Sequence, residues 1–182
     1  MAVLVDLKED YVLKAQAGDS EAFIYLVKEL ELNLYRMAMA IVKQEADCAD
    51  VVQEAILKAY KSLHTLKDPA FFKTWIYRIL INECNKLLKK RMLLMTGDEL
   101  TGRPSGMADY ENIDLREMVD HLEENLQIVI VLHYFQDLPL SEVADVLGIS
   151  TGAVKTRLHR ARKQLLSWLG TGTERKMSCG AQ

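Results

Sequence analysis

Apolar side chains recur every third or fourth position along most of the chain, as in Phe23, Val27, Leu30, Leu34, Met37 and Ile41. That step lays one apolar stripe along a helix, because 3.6 residues complete a turn. No stretch sustains the apolar–polar alternation of a strand, so the pattern predicts an all-α fold. A first short helix is expected over residues 7–17, ended by Gly18, with Asp19 or Ser20 capping a second that runs to residue 42. A third, over 46–63, buries Val52, Ala55, Ile56, Ala59 and Leu63. Residues 64–68 form a loop. Asp68-Pro69 then reads as a cap followed by proline at the first helical position, opening a long helix to about residue 91.

Residues 92–112 lose the period and collect Gly97, Gly102, Pro104, Ser105 and Gly106, which predicts a flexible linker, although Met92, Leu93, Leu94 and Met95 remain apolar enough to pack. The helical step resumes over 113–121, 125–135, 140–147 and 151–168. The chain thus divides into two small helical domains, 1–91 and 113–169, with a flexible tail at 170–182.

Composition narrows the function. At 182 residues, 49% hydrophobic and 27% charged, the chain is globular and too short for a large multidomain enzyme. Its longest charge-free stretch, 125–136, falls short of the roughly 18 apolar residues that cross a bilayer. Acidic residues stand where a secretory signal would carry basic ones, so a cytoplasmic protein is expected. Three cysteines without C-x-x-C spacing suit a reducing compartment, and Cys48 and Cys84 fall on apolar helix sides, as core residues do.

The formal net charge of −3 conceals a segregated map. Residues 73–91 carry six basic side chains against Glu83 alone, and 155–163 carry five basic and no acidic ones. Between them, residues 98–124 hold nine acids against two arginines, which makes the linker region acidic.

What the basic residues share a helix with gives them meaning. Residues 140–168 read as a short helix, a turn at Gly148, a capping Ser150 and a longer helix, the anatomy of a helix-turn-helix. In the longer helix Val154, Leu158, Ala161 and Leu165 face a core, leaving Lys155, Thr156, His159, Arg160 and Lys163 outward. Arginine and lysine donate to guanine edges, threonine bonds a base or touches a thymine methyl, and other cations hold phosphates. On the helix after Pro69, Phe72, Ile76, Leu80, Cys84 and Leu87 share one side, and Phe71, Trp75, Arg78, Asn82, Lys86 and Lys89 the other. Aromatic rings for stacking beside cations for phosphates suit single-stranded or melted nucleic acid, with Phe71 and Trp75 as core residues the alternative that spacing alone leaves open. Asp47, Asp50, Gln53 and Glu54 form an acidic patch that alone means little. No P-loop, metal-ligand spacing or nucleophile motif appears, so no cofactor, metal, catalytic set or small-molecule substrate is expected.

Together these residues resemble the extracytoplasmic-function sigma factors, two-domain promoter-specificity subunits of bacterial RNA polymerase. The likeness covers residues 18–169. GDSEAFIYLV, DCADVVQEAILKAYKSL and FKTWIYRILINECNKLLKKR are similar to that family's second conserved region, and ADVLGISTGAVKTRLHRARKQL to its fourth. The resemblance implies that Asp47, Asp50, Val51, Gln53 and Glu54 grip the core polymerase. It implies that residues 71–89 meet the minus-ten element, and that the loop at 62–68 captures a flipped base as promoter DNA melts. It further implies that Lys155, Thr156, His159 and Arg160 read the minus-thirty-five element, with Arg157 and Lys163 on phosphates. A commonly membrane-anchored anti-sigma factor is the implied regulator. The chain departs from the family pattern at Glu123-Glu124-Asn125, Pro139, Asn85-Lys86 and His159, the last two bearing on promoter sequence. Two rival classes remain: a stand-alone dimeric helix-turn-helix regulator, which leaves the stripe after Pro69 unexplained, and a small helical enzyme, which lacks a catalytic set. A sigma-like protein that regulates an established holoenzyme is a closer alternative.

Overall fold

The computed structural model describes residues 2–94 and 115–178, with side chains over 8–94, at Leu115 and over 118–169. Every regular element among them is helical: α1 (Ala2–Gln16), α2 (Ser20–Val42), α3 (Glu45–Ser62), α4 (Phe72–Leu94), α5 (Leu115–Asp120), α6 (Glu124–Ile130), α7 (Leu140–Leu147) and α8 (Thr151–Ser178). The helical expectation holds, in two helical domains. None of these helices is long and apolar enough to cross a membrane.

Local chemistry sets the helix ends. Asp19, not Ser20, caps α2, its Oδ1 accepting from the Ala22 N–H at 3.1 Å. Gly18 before it takes a φ of 101°, a left-handed turn that glycine adopts without strain. Asp68 accepts from the Ala70 N–H at 3.0 Å with Pro69 at the first position, but the chain first makes a tight 3₁₀ turn, Pro69–Phe71, before α4 begins. A second 3₁₀ turn, Leu63–Thr65, occupies part of the expected loop.

Three helix limits differ from the sequence reading. α1 starts at Ala2 because no proline or glycine interrupts residues 2–6. α4 continues to Leu94, into the expected linker, and Met92, Leu93 and Leu94 stand 70%, 75% and 77% exposed instead of packing. α8 runs on to Ser178, past the expected end near 168, since Gly170 and Gly172 weaken a helix by about 1 kcal/mol each without breaking it as proline would. The expected linker from residue 95 to 112 lies outside the described residues.

α1 to α4 pack in sequence, α1 on α2, α2 on α3 and α3 on α4, around Leu34, Met37, Ala38, Ala55, Ala59, Ile76 and Leu80, all without solvent contact. α6, α7 and α8 enclose Val129, Leu132, Val143, Val154 and Ala161. The helix expected over 125–135 changes pitch: after α6 it widens into a π-turn, Val131–Phe135, where the Gln136 N–H reaches the Val131 carbonyl at 3.1 Å. Gln136 thereby joins the two domains. The Tyr77 hydroxyl donates to its Oε1 at 2.7 Å, and the Lys73 ammonium to its carbonyl at 2.6 Å. Beside them the Thr74 hydroxyl donates to Glu142 as α7 packs on α4.

Candidate nucleic-acid interface

The helix-turn-helix is held from within. α7 ends on Gly148, whose φ of 64° turns the chain left-handed, and Ser150 Oγ then accepts from the Ala153 N–H at 3.2 Å to start α8. Val154, Leu158, Ala161 and Leu165 are buried against the core, which fixes the roll of α8. Lys155, Thr156, His159, Arg160 and Lys163 accordingly stand exposed together, with Arg157 half-buried at their border. The Thr156 hydroxyl donates to the Gly152 carbonyl at 3.0 Å. Arg162 is turned aside, its guanidinium 5.5 Å from the centre of the Tyr134 ring.

On α4 the apolar side is likewise sealed, with Phe72, Ile76, Leu80 and Cys84 in the core. Arg78, Asn82, Lys86 and Lys89 are exposed and Phe71 is 48% exposed. Trp75 lies between the two sequence readings: half-buried against the core, its ring is 6.1 Å from that of Phe72. Cys84 is inert here, burial pushing its thiol up to about 12, and burial raises Cys48 as well.

α3 divides lengthwise by charge, acids towards its start and lysines towards its end, the order a helix dipole favours. Asp50, Gln53 and Glu54 are exposed. Asp47 is partly withdrawn, its carboxylate paired with Arg91 at the far end of α4. Val51, at 6% exposure, belongs to the apolar stripe of Cys48, Val52, Ala55 and Ala59, so it supports the acidic patch chiefly from beneath.

The other end of α3 faces α4 across a groove of about 650 Å³, lined by Lys58, Lys61 and Ser62 on one wall and Asn82, Asn85, Lys86 and Lys89 on the other. Glu83 sits in it, 8% exposed, with Lys58 Nζ at 2.5 Å from Oε2 and Lys86 Nζ at 2.8 Å from Oε1. Burial drives its carboxyl upward, and the two ammonium groups outweigh that, leaving it below the usual carboxylate range. Lys58 is raised, chiefly by its bond to Glu83. Sequence reading found the α4 wall and, through the loop at 62–68, Ser62, but missed Lys58 and Lys61. The signal was there, in two lysines within four residues at the end of an otherwise acidic helix. Among the described residues no group of three or more metal-ligating side chains comes together.

Residues 26–93 match the family described as Sigma-70 region 2, and residues 112–165 the one described as Sigma-70, region 4. Over 154 residues the chain is 34% identical to the RNA polymerase sigma factor SigV of Bacillus subtilis (strain 168), covering 83% of this chain and 93% of that protein. It is 30% identical to the ECF RNA polymerase sigma-E factor of Escherichia coli (strain K12) over 172 residues, 85% of this chain and 90% of that one. The chain belongs to the extracytoplasmic-function sigma factors of RNA polymerase. Among solved structures, CnrH in complex with the cytosolic domain of CnrY aligns over 90% of this sigma factor and 97% of that chain, with 27% identity and a TM-score of 0.67. Sigma factor RpoE of Bartonella quintana, solved with the anti-sigma factor NepR, shares the fold at 24% identity and a TM-score of 0.65. Sigma factors are transcription initiation factors, and these relatives do not favour the dimeric regulator.

Proposed function

We propose that this sigma factor binds the core polymerase through Asp50, Gln53 and Glu54, with Asp47 at the margin of that surface. It reads the minus-thirty-five element with Lys155, Thr156, His159 and Arg160 in the major groove, while Arg157 and Lys163 contact phosphates. Phe71, Trp75, Arg78, Asn82, Lys86 and Lys89 meet the minus-ten element as it opens, stacking and charge together favouring the unpaired strand. The domain limits that go with this assignment are 1–91 and 113–169, joined by a linker at 92–112. The carrying observation is that two separately built helices each seal an apolar side in a core and expose the opposite, cationic side to solvent.

The protein acts where polymerase acts, in the bacterial cytoplasm. An anti-sigma factor, commonly membrane-anchored, covers these surfaces until a signal releases it, and the CnrH relative solved with a cytosolic domain of another protein supports such control. The deciding experiment is run-off transcription by bacterial core polymerase, with and without this chain, on a pool of promoter fragments from the source genome. New, specific start sites sharing two upstream elements are expected. Polymerase binding without start sites would make the chain a regulator of an existing holoenzyme.

A further inference from the structure

The groove between α3 and α4 holds a carboxylate where a phosphate-binding surface would be expected to exclude one. Lys58, Lys61, Lys86 and Lys89 line it with Asn82 and Asn85, a set of donors suited to an extended polyanion, while the Ser62 hydroxyl is already donated to the Lys58 carbonyl at 2.7 Å. Glu83 is the acid among them, it is 8% exposed, and both of its oxygens are taken by lysines from opposite walls. Lysine chains are long and lose much conformational freedom when held, so a surface of free lysines meets phosphate with an entropic cost. Here Glu83 has already imposed that order. Lys58 is also tied to Glu54 at 3.2 Å, which leaves it one of three N–H donors, whereas Lys86 keeps two. With Lys61 and Lys89 counted, the groove stays net positive despite its acid.

We propose that Glu83 is a positioning residue for DNA: it fixes Lys58 and Lys86 as a paired set of cations that receives the sugar-phosphate backbone of the strand opened at the minus-ten element. This rests on the DNA reading of α4 given above and adds the α3 wall to it. Burial of the carboxylate between two helices and the 2.5 and 2.8 Å contacts carry the assignment. Charge alone predicts the opposite behaviour, since Glu83→Gln makes the groove more positive and should tighten its hold on phosphate.

The test uses holoenzyme assembled from bacterial core polymerase and the full chain, with a promoter recovered by run-off transcription and left single-stranded across its minus-ten element. Glu83→Gln is expected to weaken binding by about three- to tenfold at low salt and to flatten the slope of log affinity against log salt by about 0.7 to 1.4, one or two phosphate contacts on a single strand. Affinity for core polymerase should not change. In a Lys58→Met, Lys86→Met background Glu83→Gln should cost nothing further, because there is no cation pair left to position. Equal or tighter binding by Glu83→Gln overturns the inference, as does a loss of the same size in the double-lysine background, which would mark a purely structural role. Failure of the underlying reading looks different: wild-type holoenzyme would then not hold the partly opened promoter, and both fall together.

Discussion

At Thr156 the hydroxyl proton is already spent on the Gly152 carbonyl, so towards a base this side chain accepts and does not donate. In the proposed reading of the minus-thirty-five element it therefore complements exocyclic amines in the major groove. Arg160 is its donor counterpart, exposed on the same face of α8 with its helix anchored by Leu158 and Ala161. Arg160→Ala should weaken binding to the minus-thirty-five element by about 1 to 3 kcal/mol, the value of a bidentate base contact, and leave scrambled DNA nearly unaffected. Equal losses on both sequences in a binding titration would make Arg160 a phosphate contact. A second expectation concerns thiols. Cys48 and Cys84 are fully buried and their thiols are raised by burial, Cys84 to about 12, so little thiolate exists near neutral pH. In a Cys179→Ser chain, iodoacetamide should label neither until the fold is opened by denaturant. Labelling of the native protein at a rate typical of free cysteine would mean that α3 and α4 separate readily.

Between α3 and α4, the Glu83 pairs make the helix–helix contact sensitive to acid. The folded carboxyl lies below its unfolded value of about 4.5, so its contribution is full above that pH and lost as pH falls through the lower folded value. Wild type should exceed Glu83→Gln in Tm near neutral pH, with the gap closing as the pH falls below about 4.5 and on through the lower folded value. A gap that persists unchanged down to the acid limit of the folded state would mean that shape, not charge, makes the difference. The sequence discloses elements of this kind unevenly. The caps at Asp19 and Asp68 and the inward faces of α4 and α8 were legible because they follow from local hydrogen bonding and from the 3.6 period. Val51 was placed on the polymerase surface although it lies in step with Cys48, Val52 and Ala55, so periodicity alone would have put it in the core. The groove is another matter, since Lys58 and Glu83 are 25 residues apart and only the packing of α3 on α4 brings them within bonding distance. The π-turn at Val131–Phe135 is equally silent in sequence, because the apolar step through it is that of an ordinary helix.

Across the whole molecule, the contact between domains conflicts with simultaneous reading of two promoter elements. By their positions those elements lie about 25 base pairs apart, roughly 85 Å of duplex at 3.4 Å per pair. In the structure α7 packs on α4 and α8 on α7, and packed helix axes lie about 8 to 10 Å apart, so the two helices proposed to read them are separated by only roughly 20 Å. The domains must part for both to engage. Their contact is built for that: besides apolar packing it rests on Lys73, Thr74 and Tyr77 reaching Gln136 and Glu142. Burial lowers the Lys73 ammonium, a sign that its position there is costly. Beside this contact lies a cleft of about 490 Å³ between α2 and α6, lined by Arg36, Lys43, Asp120 and Gln127 among others. Gln127 donates to Asp120 at 2.9 Å, but its buried Oε1 has no partner, an omission worth about 1 to 3 kcal/mol that water would relieve once the cleft opened. Fluorophores at Glu21→Cys and Leu166→Cys in the Cys179→Ser chain should show efficient energy transfer in the free protein and a marked fall when core polymerase is added. Tyr77→Phe, which deprives Gln136 of its buried donor, should lower the transfer in the free chain as well, by weakening the closed contact by about 1 kcal/mol. Transfer that stays high in the holoenzyme would mean that the domains remain docked on polymerase, and a single protein could not then bridge the two elements in the way proposed.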